Sequence, residues 1–326
     1  MAEPTAAQFE RAVAGVKDDV GRLLVYADHL TERGDPLGAL IVLQTTDREA
    51  NPLLELELTT RVRQGLGVSS RDLHAVAFEW RWGFVDTLTL KGVRNGDNAA
   101  LLATVLAAPA CRFVRHLKVQ LAHLDGAQGT DASWLSKVSQ LARLDLLSRL
   151  TCTAGIRNFG SVRALVPRLE HLSLGIANLA PRKHFDLPLR SLELTGFGSE
   201  LDRLLHQPPW TALTHLKVER EVASVNAVLE RCPLTSLDVS GSPAMVEELC
   251  ASPHLGKLRK LTLRRVNALQ PLVARRADLG ELSLHLVEGS PRREDVGTLK
   301  ATLKQVTFVG LLGPTEEGGY SRPLRL

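Results

Sequence analysis

The chain lacks most of the features that indicate catalytic chemistry or a membrane. Only 4% of its 326 residues are aromatic, so stacking platforms for single-stranded nucleic acid are scarce. No run approaches the ~18 consecutive apolar residues of a transmembrane helix. The N-terminal residues carry acidic side chains and no apolar segment, which argues against a secretory signal. These absences predict a cytoplasmic protein.

Cysteine is also sparse. The four cysteines, Cys111, Cys152, Cys232 and Cys250, form no C-x-x-C pair and have no histidine at a zinc-ligand spacing. We expect them to be free, buried thiols in a reducing compartment. Motifs of phosphate-binding loops, zinc proteases, serine hydrolases and EF-hands are missing as well. The sequence therefore predicts a protein that is not an enzyme and that needs no cofactor.

One pattern, in contrast, recurs along most of the chain. In LRKLTLRR, which begins at Leu258, the leucines stand at the first, fourth and sixth positions. Ten copies follow each other at steps of 20 to 29 residues. Their central apolar residues are Leu88, Leu117, Leu144, Leu172, Leu192, Leu216, Leu237, Leu261, Leu282 and Val306. No copy can bury its own apolar side, so the copies must stack into a parallel sheet.

This stretch resembles a leucine-rich-repeat array, whose repeats open L-x-x-L-x-L and contain 20 to 29 residues. The resemblance implies an α/β solenoid with a parallel sheet over residues 81–312. The asparagine or cysteine that the family places after each strand is replaced here, for example by Val93, Ala122 and Phe197. The turns after the strands must therefore be satisfied in another way. Residues 313–326 are rich in Gly and Pro and predict a flexible tail.

Residues 1–80 lack the repeat and predict a small α-helical cap. Three helices are expected there. The predicted capping residues are Asp18 or Asp19, Asp35 before Pro36, and Asn51 before Pro52, and the predicted ends are Gly34 for the first helix and Gly65 or Gly67 for the third.

The same segment resembles the bacterial repeat-companion domain, a helical module found before leucine-rich-repeat-like arrays. The shared residues are Leu24, Val25, Tyr26, Ala27, Asp28, Leu30, Glu32, Arg33, Gly34, Asp35, Gly38, Ile41, Leu43 and Gln44, followed by Gly83 and Phe84. His29 and Ala39 depart from the family pattern. The resemblance implies a bacterial repeat protein with a capped end, and we interpret Tyr26 as a packing residue and Asp28 as a helix-capping or ion-pairing residue.

A repeat sheet of this kind would present alternate polar residues on its concave side. The predicted partner-binding residues are Lys118, Arg143, His171, Glu193, His215, Lys217, Glu219, Asp238, Lys260 and Arg264. Their signs are mixed, whereas a nucleic-acid groove carries a stripe of one sign. Mixed charge favours a protein partner. His116, His171 and His215 fall in one column about 9.6 Å apart, too far for a shared metal ion.

The sequence thus favours a non-catalytic protein-binding module that uses the concave face of the solenoid. Two alternatives stay open. The first is a structural scaffold that binds through the convex face or the N-terminal cap. The second is a nucleic-acid binder, since the net charge is +4 and arginines cluster near the C-terminus. These are Arg264, Arg265, Arg275, Arg276, Arg292 and Arg293.

Overall fold

The computed structural model describes residues 19–46, 51–92, 97–120, 144, 146–153, 166–175, 188–195, 210–219 and 224–311. The chain divides into two units. The first comprises Met1–Thr151 and Ala164–Arg168, and the second comprises Cys152–Arg163 and Leu169–Leu326. Each unit combines helices with a mostly parallel, open sheet.

Helices open the first unit, as predicted. They are α1 (Val20–Glu32), α2 (Pro36–Thr46), α3 (Pro52–Gln64) and a single turn, α4 (Ser70–Leu73). The predicted caps at Asp19, Asp35 and Asn51 are confirmed. Their side-chain oxygens accept hydrogen bonds from backbone N–H groups of the following turn. Gly34, with φ of 71°, provides the left-handed residue after α1.

A hairpin follows these helices. Strand β1 (Val76–Arg81) pairs antiparallel with β2 (Phe84–Leu90). The connecting Trp82 and Gly83 have φ values of 53° and 81°, which matches a two-residue hairpin turn. The domain boundary predicted after residue 80 therefore falls inside β1. The repeat pattern cannot reveal β1, because this strand runs against the others and has no copy of the motif.

The rest of the first unit returns to parallel pairing. Helix α5 (Asn98–Ala107) and a 3₁₀ turn (Pro109–Cys111) connect β2 to β3 (His116–Val119), which lies parallel to β2. The next strand is β4 (Arg149–Cys152). The backbone N–H of Arg149 donates to the carbonyl of Arg115, just before β3.

The described part of the second unit contains seven strands in chain order, each parallel to its neighbours. The strands are β5 (His171–Gly175), β6 (Ser191–Thr195), β7 (His215–Val218), β8 (Ser236–Ser240), β9 (Lys260–Val266), β10 (Ser283–Gly289) and β11 (Gln305–Leu311). Among the described residues, the helices between them are α6 (Val225–Arg231), α7 (Pro243–Ala251), α8 (Gln270–Ala274) and α9 (Arg293–Thr302), with 3₁₀ turns at Leu255–Lys257 and Arg276–Leu279. The predicted parallel pairing of Leu192 with Leu216 is confirmed.

The predicted phase of the repeat is wrong in two of the ten copies. Leu144 lies outside any strand, and Leu150 in β4 takes the position expected for it. Both leucines sit in a matching pattern, so spacing alone does not choose between them. Leu282 precedes β10, and Leu284 is the residue that pairs with Leu261. Leucines at 282, 284 and 286 offer two registers, all three are buried, and the sheet uses the register that pairs Leu284 with Leu261 and Leu286 with Leu263.

Backbone hydrogen bonds join the rungs of the second unit both before and after the strands. Before the strands, the carbonyl of Arg190 accepts the N–H groups of Thr214 and His215, and the carbonyl of Thr214 accepts those of Thr235 and Ser236. After the strands, the N–H of Gly241 donates to the carbonyl of Arg264 at 2.6 Å. The expectation that other groups form the hydrogen bonds of the turns after the strands is therefore confirmed at Gly241.

The helices of the first unit share their core with the beginning of β2. The Tyr26 ring stacks on Phe84 at 6.1 Å between centroids, and Tyr26 is buried. Gly83 approaches α2 so closely that a Cβ atom there would lie 2.4 Å from Cγ1 of Ile41. Gln44 is also buried, and its side-chain oxygen accepts the Gly83 N–H at 2.7 Å. The residues that carry the repeat-companion resemblance thus contact each other.

Candidate partner-binding face

In β5–β10, buried leucine or valine residues alternate with polar residues, most of which are more exposed. We call the exposed side, formed by the residues that alternate with the buried ones in β5–β11, the polar face. Its residues fall into columns that run across the strands, because the strands pair in register. The first column contains His171, Ser191, His215, Ser236, Lys260, Ser283 and Gln305. The second contains Ser173, Glu193, Lys217, Asp238, Thr262, His285 and Thr307.

The charges of the second column are paired with each other or with the next column. Lys217 Nζ lies 3.6 Å from Glu193 Oε2, and the Ser173 hydroxyl donates to the same oxygen at 3.5 Å. Asp238 accepts two hydrogen bonds of 2.7 Å from the Arg264 guanidinium. This bidentate contact, and the nearby negative charge of Glu219, raise the pKa of Arg264. The side chains of Arg264 and Asp238 are only 30% and 18% exposed, so their contact is better shielded from water than most surface pairs.

Two histidines of this face form hydrogen bonds with threonine hydroxyl groups. His285 Nδ1 is hydrogen-bonded to the Thr307 hydroxyl, and burial, followed by the charge of Lys260, lowers the pKa of His285. His215 Nδ1 is hydrogen-bonded to the Thr214 hydroxyl at 2.8 Å. His171 and His215 are separated by the strand of Ser191. They therefore do not converge on one ion, and the described residues contain no group of three or more metal-ligating side chains.

The first unit has a smaller polar face of its own. Lys118 on β3 pairs with Glu79 on β1 at 2.9 Å, and this hydrogen bond lowers the pKa of Glu79. His116 Nε2 lies 3.1 Å from the Thr151 hydroxyl. Burial, together with the positive charges of Lys118 and Arg149, lowers the pKa of His116 to about 4. At neutral pH the ring is uncharged and forms part of a hydrogen-bonded network.

The structure gathers most of the predicted partner-binding residues on the polar face of the second unit. They are His171, Glu193, His215, Lys217, Glu219, Asp238, Lys260 and Arg264. Lys118 lies on the face of the first unit, and Arg143 lies outside the described residues. Sequence reasoning missed the serines of the first column, because only charged residues and histidines were counted. It also missed Glu79, because β1 has no repeat motif.

The remaining groups that could be reactive, the cysteine thiols and the Tyr26 hydroxyl, belong to buried residues. All four cysteines are free and buried. Burial raises the pKa of Cys111 to about 12 and those of Cys232 and Cys250 to about 11. Such thiols are not nucleophilic at neutral pH. Burial also raises the pKa of Tyr26, which packs in the core as predicted.

Comparison with known proteins identifies the fold at a coarse level. No protein-family model matches the chain, and no curated protein matches it. Among solved structures, a crystal structure of a protein from Bacteroides fragilis is similar, with a TM-score of 0.54 over 70% of this chain and 74% of that chain. The two sequences are 15% identical, so the likeness concerns the fold alone. Together with the long, mostly parallel sheet, it is consistent with a repeat-like α/β fold.

Across the described ranges, no helix is both long and apolar enough to cross a bilayer.

Proposed function

We propose that this chain is a non-catalytic protein-binding module of the leucine-rich-repeat type, in which the polar face of the second unit receives the partner. This face corresponds to the side that is concave in leucine-rich-repeat proteins. The observation that carries the proposal is the register of the polar residues. Seven successive strands present polar side chains at matching positions, and in β5–β10 the leucines and valines between them are buried.

The proposal extends to a bacterial protein that works in the cytoplasm. The resemblance of residues 24–44 to the repeat-companion domain supports the first part. Four buried, unoxidised thiols support a reducing compartment. Mixed charge on the polar face supports a protein partner, because complementary charges set orientation and exclude wrong partners.

A charge swap tests the face without removing its internal ion pair. In Glu193→Lys with Lys217→Glu, the pair is kept but the field that a partner meets is reversed. The matched control is Glu281→Lys with Lys304→Glu, which inverts an exposed Lys–Glu pair of the same unit that spans 4.0 Å and lies outside the two columns. Both variants should fold as the wild type, as measured by circular dichroism and thermal melting, because exposed substitutions change stability by about 0.5 kcal/mol or less.

Partner capture then distinguishes the surfaces. Tagged wild type and both variants are used as baits in cells that express the protein naturally, and bound proteins are quantified by mass spectrometry. We expect a partner that is retained by the wild type and the control and lost by the face variant. Equal capture by all three baits, or loss only with the control, would reject the polar face. Arg275 is unsuitable as a control because its guanidinium donates to the backbone carbonyls of Cys250 and Ser252.

A scaffold that binds through the N-terminal helices is the second candidate, and one observation favours it. On α3, Leu53 and Leu56 are 78% and 64% exposed, and residues three apart lie on the same side of a helix. Exposed leucines at neighbouring positions are typical of a contact surface. In Leu53→Gln with Leu56→Gln, loss of capture together with normal capture by the charge-swap variant would favour the scaffold.

The nucleic-acid alternative is weakened by the contacts of four of the six C-terminal arginines. Arg264 is held by Asp238, and Arg265 lies 3.4 Å from Glu288. Arg275 contacts Asp278 as well as backbone carbonyls. Arg276 donates to the carbonyl of Val273. Phosphate binding would have to compete with these internal partners.

A further inference from the structure

The two columns of the polar face differ in sign. The second column carries both carboxylates of the two columns, Glu193 and Asp238, and each is held by a cation on a neighbouring strand. The first column carries no carboxylate on any of its seven strands. Glu219, the residue just after β7, lies near Arg264. Lys260 is therefore the charged residue of the first column, and no carboxylate of that column offsets it.

The first column also offers hydrogen-bond donors. Lys260 is exposed, and within the described part of the chain it forms no ion pair. The hydroxyl groups of Ser191, Ser236 and Ser283 donate to no described residue. A lysine amine and hydroxyl groups at this spacing are suited to carboxylates and to backbone carbonyls of an extended chain.

The dimensions fit a short peptide segment. Neighbouring strands lie about 4.8 Å apart, so seven strands extend over about 29 Å. An extended chain rises about 3.3 Å per residue and crosses this distance with about nine residues. A partner that crosses the strands along the first column can therefore contact Lys260 and the three serines together.

We propose that the partner presents an acidic polypeptide segment that lies across the strands along the first column, a proposal that rests on the protein-binding function proposed above. The segment's carboxylates meet Lys260 and the hydroxyl groups of the serines. The ion pairs of the second column stay intact beside the bound segment. Lys260 repels a basic segment more strongly than these ion pairs do. Affinity depends on ionic strength, because these contacts are exposed to solvent.

A direct binding measurement tests the partner's chemistry. The full chain is titrated into a fluorescein-labelled peptide of about ten residues that alternates Glu and Ser, and anisotropy is followed at low ionic strength. The comparison ligands are a Lys–Ser peptide of the same length and a single-stranded and a duplex oligonucleotide. We expect binding of the acidic peptide that weakens with added salt, and no binding of the basic peptide. Binding of the oligonucleotides in preference to the acidic peptide would overturn the proposal.

Two matched substitutions locate the site. Lys260→Glu reverses the charge of the first column, and Arg293→Glu makes the same change at an exposed position in the first turn of α9, where an acidic residue is favourable. Lys260→Glu should weaken binding about tenfold, and Lys260→Gln less, since Gln only removes the charge contact whereas Glu also adds repulsion. Arg293→Glu should bind like the wild type. Equal weakening by Lys260→Glu and Arg293→Glu, or no binding by the wild type, would overturn the inference.

The two proposals fail separately. If the acidic peptide does not bind but the charge swap at Glu193 and Lys217 still abolishes capture of the natural partner, the polar face is a binding face and only the chemistry of its partner is wrong. If neither experiment depends on the polar face, the proposed function fails as well.

Discussion

The two units of the chain cover their apolar strands by different means. In the second unit each rung is covered by rungs of the same kind, and leucines at matching positions pack along the whole series. In the first unit, the beginning of β2 is covered by helices that reach it through a few individual contacts. Tyr26 stacks on Phe84, and Gln44 accepts the Gly83 N–H. In the second unit, the stabilising contacts are therefore distributed over the strands. In the first unit, they are concentrated where the helices meet Gly83 and Phe84, a contact region that we call the joint.

Leu261→Ala should give the largest effect, because it removes a fully buried side chain from the middle of the repeat series. We expect the free energy of unfolding to fall by about 3 kcal/mol. In a repeat protein each rung contacts only its neighbours, so hydrogen exchange should accelerate in β8 and β10 as well as in β9. Exchange that accelerates in β9 alone would contradict distributed stability.

Gly83→Ala should break the joint of the first unit. The added Cβ would lie 2.4 Å from Ile41 Cγ1 and 2.9 Å from the Ile41 backbone, at a φ of 81°. We expect a loss of about 2 kcal/mol or more, measured by denaturant unfolding with the fluorescence of Trp80 and Trp82. Gly297→Ala is the control, because nothing lies within 4 Å of a Cβ on that helical residue, and it should be neutral or slightly stabilising. If Gly83→Ala left the free energy of unfolding unchanged, the close contact at Gly83 would not be what stabilises the first unit.

Acid should weaken the first unit through His116. Its folded pKa of about 4 lies below the ordinary value of 6.5, so the unfolded chain binds the proton more readily. The resulting stability is complete above pH ~6.5 and is lost as the pH falls toward 4. The loss should be about 1 kcal/mol, because the half-exposed ring is screened by water. His116→Gln should flatten the profile of unfolding against pH, and an unchanged profile would exclude His116 as its source.

The smallest expected effect compares two arginine pairs of the second unit. Arg264 and Asp238 form a bidentate, partly buried contact, whereas the side chains of Arg265 and Glu288 are 82% and 62% exposed. Double-mutant cycles with alanine should give a coupling of about 0.5–1 kcal/mol for the first pair and close to zero for the second. Equal couplings would show that burial does not distinguish them.

The repeat architecture was predictable because its signal is redundant. At eight of ten copies the predicted central residue lies in a strand, as Leu192 and Leu216 do. The errors at Leu144 and Leu282 arose where leucines repeat at more than one suitable spacing. For the copy around Leu282, only the pairing of Leu261 with Leu284 shows which leucine takes the central position. Periodicity identifies which residues are buried, and the neighbouring strand decides the phase.

The joint and the columns were predictable only in part. Gln44 and Gly83 belong to the family resemblance, but a contact across 39 positions leaves no periodic signal. Strand β1 has no repeat motif, so Glu79 and its contact with Lys118 were missed. The charged residues of the polar face were predicted from their positions beside the leucines. Their division into a paired column and a donor column needed the register of the strands.

The central claim is that the polar face of the second unit binds a partner, and site-specific cross-linking tests it most directly. A photo-reactive amino acid replaces Ser236 in the first column, and in a separate protein it replaces Gly297 on α9. After irradiation in the native cell, we expect a covalent adduct with one defined protein from position 236 and none from position 297. An adduct from position 297 alone, with none from position 236, would contradict the account and place the binding surface on the helical side.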